Sequence, residues 1–168
     1  MPIRNRYILF GLILLFNIGF FVAAVLLLPI LFEENDDALM CMIANGVYSG
    51  TPDCHLVFIN ALWGSMLAWL YSLTTAVEWY TVTLGIVQIM SVSVIAYYIL
   101  QDRKRTWWYR VGWMLLLYVL WVRIILSLQF TTTAGIACVA GCIVLITSAK
   151  GYGIIGGGVY SHLFTHPL

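Results

Sequence analysis

Four cysteines are the residues of this chain most able to do chemistry, and they fall into two pairs, Cys41 with Cys54 and Cys138 with Cys142. Between the first two lie Asn45-Gly46, Ser49-Gly50 and Thr51-Pro52, all turn formers. A bond between Cys41 and Cys54 would close a loop of about 14 residues and contribute about 3 kcal/mol in the chain-entropy view. On the oxidising side of a secretory-pathway membrane the expectation is a structural disulfide, with a redox-active pair as the alternative. Cys138 and Cys142 sit one helical turn apart in an apolar run. With Ala134 they form a small-residue stripe, and Ala137 and Gly141 form a second pair of that kind, which suits close helix approach in lipid. A disulfide wants its Cβ atoms about 3.5–4.5 Å apart, whereas i and i+4 on a regular helix are about 5–6 Å apart. The expectation for Ala134, Cys138, Gly141 and Cys142 is therefore helix packing.

Other reactive constellations are missing. Two thiols at lipid depth with no nearby histidine make a poor metal set, and no metal is expected. His55 adjoins a loop cysteine, while His162 and His166 fall beyond Lys150. The sequence has no paired catalytic carboxylates, nucleophile elbow or phosphate-binding loop. The glycines from Gly151 to Gly158 follow no strand, so they are no nucleotide fingerprint. No catalytic residue is assigned.

The elements that must hold these residues follow from composition. Of 168 residues, 62% are hydrophobic and 9% charged, and mean hydropathy is +0.96. Soluble chains run roughly 45–50% apolar and about 25% charged. A globule of this composition cannot cover itself with polar surface. Net charge is +1, so there is no basic field for nucleic acid. The chain reads as an all-α polytopic membrane protein whose first partner is the lipid bilayer.

Crossing roughly 30 Å of hydrocarbon takes about 20 apolar residues. Runs of that kind cover about 7–32, 81–100, 107–128 and 131–149. The first is too long for a signal-peptide core. Segment 56–75 is also apolar, and charge decides its reading. Arg4 and Arg6 precede the first span, and Arg103, Lys104 and Arg105 follow the second. Basic clusters favour the cytoplasm, so an even number of crossings should separate them. Segment 56–75 is then a re-entrant or interfacial helix in the first outer loop; the alternative is a fifth span. The expected fold is a single membrane domain over 1–168. It is a four-span bundle with both termini cytoplasmic, an outer loop over 33–80 and a cytoplasmic tail over 150–168. Glu33, Glu34, Asp36, Asp37 and Asp53 fall in that outer loop, and no Asn-x-Ser/Thr sequon occurs.

Two charges approach membrane depth. Arg123 lies 18 residues past Arg105, about 27 Å along a helix, and so reaches the outer interface. Glu78 precedes the 81–100 span at the same interface. The expectation is a Glu78–Arg123 ion pair, with snorkelling of Arg123 to the headgroups as the alternative. Trp107, Trp108, Tyr109 and Trp113 at one interface, and Trp79 and Tyr80 at the other, read as aromatic belts.

Two resemblances follow. Its short basic start, the Arg103-Lys104-Arg105 turn, the Trp113-Met114-Leu115-Leu116-Leu117 stretch and Val159-Tyr160-Ser161 near the tail resemble small insect tetraspan proteins. These are the MARVEL- or claudin-like, Pasiflora-type proteins of septate junctions. The Trp-Gly-Leu-Trp signature of true claudins is missing. This resemblance implies a non-enzymatic plasma-membrane scaffold in junction assembly and barrier formation, associating laterally with other membrane proteins and needing no cofactor. Separately, Cys41 and Cys54 followed by Val57-Phe58 and Trp63-Gly64, with cysteines in the last span, resemble the vitamin K epoxide reductase family. That implies a membrane thiol–disulfide oxidoreductase using Cys41, Cys54, Cys138 and Cys142 with a quinone. Its last-span motif is Cys-x-x-Cys, whereas this chain has one more residue between Cys138 and Cys142. A channel or transporter accessory subunit is a third reading, weakened by the lack of an ionisable relay within the spans.

Overall fold

The structure, a computed structural model, describes residues 3–29, 31–32, 35–102 and 105–149. The expected cytoplasmic tail with its Val159-Tyr160-Ser161, residues 103–104 of the basic turn and Glu33 and Glu34 lie outside them, as does the side chain of Arg4. In chain order the elements are α1 (Ile3–Leu27), β1 (Leu31–Phe32), α2 (Asn35–Ala44), α3 (Ala61–Leu73), α4 (Trp79–Gln101), α5 (Trp107–Leu126), β2 (Ser127–Leu128) and α6 (Phe130–Ala149). Four of them, α1, α4, α5 and α6, are long and apolar enough to cross a membrane.

Helix α3 is not a fifth span. Its 13 residues reach only about 20 Å at 1.5 Å per residue, short of the roughly 30 Å of hydrocarbon. The Asn60 side chain caps its start by accepting from Leu62 N at 2.8 Å. Residues 56–59, apolar as they are, stay outside the helix. The stretch between α1 and α4 also contains α2, which sequence reading did not anticipate. Asp36 and Asp37 in its first turn suit the positive end of the helix dipole.

Helix α4 is the hub and packs against α1, α5 and α6. Half of its span is buried, against a sixth or less of each other span. Its inward face is built of small or polar residues such as Gly85, Ser91, Ser93 and Ala96, which allow close approach in lipid. At Gly85 a Cβ would stand 2.7 Å from the Phe21 ring of α1. The outward faces of α1 and α5 are rows of exposed apolar residues, including Leu12, Leu15, Leu26, Leu115 and Val119, as lipid contact requires.

Two buried amides cross-link the spans. Asn17 donates to Ser93 Oγ at 2.9 Å and accepts from Tyr118 Oη at 2.6 Å, joining α1, α4 and α5. Gln88 donates to Thr133 Oγ1 at 2.9 Å and accepts from Trp121 Nε1 at 3.3 Å, joining α4, α5 and α6. Both amides are fully buried, and in lipid an unpaired one would be costly. Around them Trp121 stacks on Phe20 and Phe21, with centroids at 5.3 and 6.3 Å.

At one end of the bundle, a second core of Met40, Cys41, Ala44, Leu56, Leu67, Tyr71, Tyr80 and Leu128 joins α2 and α3 to the spans. A two-residue parallel ladder, Leu31 with Ser127 and Phe32 with Leu128, ties the segment after α1 to the segment after α5. Four crossings put this end opposite the start of α1 and the α4–α5 turn. Arg6, Arg105 and Arg110 therefore share the other end, where Arg105 lies 5.3 Å from the Tyr109 ring and Arg110 lies 5.8 Å from the Trp107 ring.

Candidate functional site

Among the described residues, a group of ionisable side chains gathers where α2 and α3 meet the ends of α4 and α6. Asp37 and Cys41 are one turn apart on α2, so both face the same way. Asp37 Oδ1 accepts from Tyr80 Oη at 2.7 Å and from the backbone N–H of Phe130, the first residue of α6, at 2.9 Å. Its carboxylate thus serves two helix N-termini, those of α2 and α6, where backbone dipoles favour negative charge. Asp37 is fully buried, and its Oδ2 has no hydrogen-bond partner. One step further out, Glu78 Oε2 accepts from Cys41 Sγ at 3.0 Å and from Tyr71 Oη at 3.2 Å. The Tyr71 oxygen in turn accepts from Tyr80 N at 3.1 Å.

In this cluster the thiol and both phenols donate to carboxylates. Burial first, and then donation to Glu78, pushes the Cys41 thiol up to about 12. Burial likewise raises Tyr71. A thiol held protonated is a poor nucleophile, because reactivity belongs to the thiolate. The arrangement therefore fastens α2, α3, α4 and α6 together and presents no activated group.

The cysteines part company with expectation here. The Cys41–Cys54 disulfide does not form, and all four cysteines are free. Cys41 points into the core, whereas Cys54 Sγ sits 3.7 Å from His55 Nδ1. The loop between them is fastened by its own backbone instead. Val47 N bonds Met42 O at 3.0 Å, Gly50 N bonds Gly46 O at 2.8 Å and Asp53 N bonds Ile43 O at 3.3 Å. Gly46 makes this turn with φ of +85°, and a Cβ there would meet Thr51 C at 2.5 Å.

Alkylation separates the two loop cysteines. Burial and donation to Glu78 raise the Cys41 thiol well above its ordinary range, so little of it is thiolate near neutral pH. Its labelling by a maleimide in folded protein should be slow, rise about tenfold per pH unit above pH 8, and become fast on denaturation. Cys54 should label in the folded state. Mass spectrometry of protein quenched at timed intervals reads both, and rapid native labelling of Cys41 would contradict the buried geometry.

The α6 residues are also placed differently from the packing expected of them. Ala134, Cys138, Gly141 and Cys142 are exposed, and α6 meets α4 through Thr133 and Ala140. A Cβ added at Gly141 would touch nothing. The small residues follow helical spacing on either face, so spacing did not reveal which face turns inward. An open groove of about 380 Å³ lies between α4 and α6, lined by residues including Met90, Val94, Ala140 and Val144. Its one polar lining side chain, Ser91, donates to its own helix at Val87 O.

Glu78 spends its hydrogen bonds on Cys41 and Tyr71, while Arg123 stands in the last turn of α5 with an interaction of its own. Tyr80 is no belt residue, being wholly buried with its hydroxyl on Asp37. Trp107 and Trp108 do remain exposed, as a belt requires. The buried polar residues that sequence reading missed as cross-links between helices are Asp37, Gln88 and Asn17. The amides had a signal, a lone amide in an otherwise apolar run. Asp37 had none, because nothing in its neighbourhood announces Phe130, 93 residues away.

No family model, curated protein or solved structure matches the chain.

Proposed function

We propose that this is a non-enzymatic multi-pass membrane scaffold that associates laterally with other membrane proteins through the outward face of α6. The observation that carries this reading is the exposure of Ala134, Cys138, Gly141 and Cys142 along one side of a span, where a Cβ added at Gly141 would meet none of the described residues. Small residues on a lipid-facing side give up lipid contact area and gain it back only when another helix packs closely. The basic end then lies in the cytoplasm with both termini, and the α2–α3 layer faces outward, where a junctional protein of the plasma membrane meets its partners. The same arrangement weighs against a quinone-linked thiol relay. Cys41 is buried behind Glu78 and Tyr71, and the α6 thiols face away from α4.

The native cysteines of α6 report on this directly. Oxidative cross-linking in intact membranes should trap neighbours through Cys138 or Cys142. Gly141→Leu should lower the trapped fraction at least fivefold while leaving the fold intact, since the site has room for a side chain. A tagged chain should collect at cell–cell contacts. Cross-linking no stronger than that of a lipid-facing cysteine placed on α1, or uniform membrane distribution, would sink the reading.

A further inference from the structure

The outer loop carries a second cluster, which the scaffold reading does not use. Asp53, Cys54 and His55 are consecutive, directly after Pro52. Their Oδ1, Sγ and Nδ1 atoms converge: Asp53 Oδ1 is 2.7 Å from His55 Nδ1, and Cys54 Sγ is 3.7 Å from the same nitrogen. One ligand atom from each residue lies within 4.8 Å of the other two. We propose that Asp53, Cys54 and His55 form a binding site for a divalent metal ion of the zinc class, open at its fourth position.

Three physical facts lead there. The donor set joins a thiolate, an imidazole and a carboxylate, which suits Zn²⁺ and its neighbours and not Mg²⁺ or Ca²⁺. Second, the spacing fits. With Zn–S at about 2.3 Å and Zn–N at about 2.0–2.1 Å, a tetrahedral ion holds its sulfur and nitrogen ligands about 3.6 Å apart. The observed 3.7 Å needs almost no adjustment. The 2.7 Å contact from carboxylate to imidazole is the length of a hydrogen bond. It opens by about 0.6 Å when the ion takes the place of the bridging proton.

Third, the backbone is anchored on both sides, so the ligands are positioned before an ion arrives. Asp53 N bonds Ile43 O of α2 at 3.3 Å, His55 N bonds Asp53 Oδ1 at 2.9 Å, and Leu56, which is buried, bonds Cys54 O at 3.0 Å. Gly64 of α3 packs against the Cys54 carbonyl so closely that a Cβ there would run into it. The ligand side chains stay reachable, His55 being 85% and Asp53 40% exposed. Cys54 also has no disulfide partner, because Cys41 is turned into the core. The ion would displace the Cys54 thiol proton and any proton on Nδ1, so binding weakens as pH falls. The fourth position takes water, or a donor from a neighbouring protein.

Cobalt is the probe, because thiolate ligation gives Co²⁺ a strong near-ultraviolet charge-transfer band. The full chain is reconstituted in lipid nanodiscs and carries Cys138→Ala and Cys142→Ala, which removes the other exposed thiols. One equivalent of Co²⁺ should produce the band, and Zn²⁺ should bleach it. Cys54→Ser should abolish the band, and His55→Ala and Asp53→Asn should each weaken Co²⁺ binding about tenfold or more. Thermal unfolding of the metal-free variants, expected unchanged, shows that they fold. Absence of the band, or a band that survives Cys54→Ser, overturns the proposal. Because the readout is spectroscopic, failure of the metal site and failure of lateral association are seen separately.

Discussion

Replacing Trp121 with alanine should destabilise the bundle by about 3–5 kcal/mol. Trp121 is wholly buried, stacks on Phe20 and Phe21 of α1 and donates to Gln88 of α4. One side chain therefore joins three spans. In lipid the loss comes from packing more than from water exclusion, because the vacated volume lacks partner atoms. Trp121→Phe separates the two contributions. It keeps most of the ring and strands the Gln88 oxygen, and an interhelical hydrogen bond in a membrane averages about 0.6 kcal/mol. Equilibrium unfolding in mixed micelles measures both variants. A Trp121→Ala cost under about 1 kcal/mol would mean that the α1–α5 seam is not the packed one described here.

Asp37→Ala is the second large effect, about 3 kcal/mol. It strands two buried donors at once, the Tyr80 hydroxyl and the Phe130 N–H, and each unsatisfied group costs about 1–3 kcal/mol. Asp37→Asn keeps an acceptor oxygen at the same place and should cost distinctly less. Tyr80→Phe removes one of the two donors. The double variant Asp37→Ala with Tyr80→Phe should therefore be less destabilised than the sum of the singles, with a coupling of about 1 kcal/mol or more. Hydrogen exchange at the Phe130 amide gives a local readout and should accelerate in Asp37→Ala alone. Additive singles with an unchanged Phe130 amide would show that Asp37 does not bridge the α2–α3 layer to α6.

Legibility was uneven along the chain. The spans were readable because lipid demands a continuous apolar run of set length. Expected and observed boundaries agree most closely at the ends of α4, α5 and α6. The non-spanning character of 56–75 was readable from charge bias, and its true extent, Ala61–Leu73, follows from the Asn60 cap. The cysteine pairing was misread. Short separation and intervening turns make a Cys41–Cys54 bond easy to draw, but α2 directs Cys41 inward toward Glu78. Had α2 been recognised, its one-turn spacing of Asp37 and Cys41 would have put both on a single face. The Asp53-Cys54-His55 triplet was in plain view as sequence. Its significance depended on Cys54 being free and on three side chains converging rather than fanning apart.

By itself the sequence determined the solvent and the architecture: a lipid-embedded, all-α bundle of four spans with an apolar helix in the first long loop. Those follow from run lengths and composition, which are local quantities. Only the tertiary structure decided that α4 is the hub, that α6 turns its small residues outward, and that Asp37 caps a helix 93 residues away. The reason is physical. In lipid the outward face of a span is apolar and most of its inward face is too, so hydrophobicity alone separates the two faces poorly. That choice falls to a few buried amides, hydroxyls and carboxylates seeking partners on other helices.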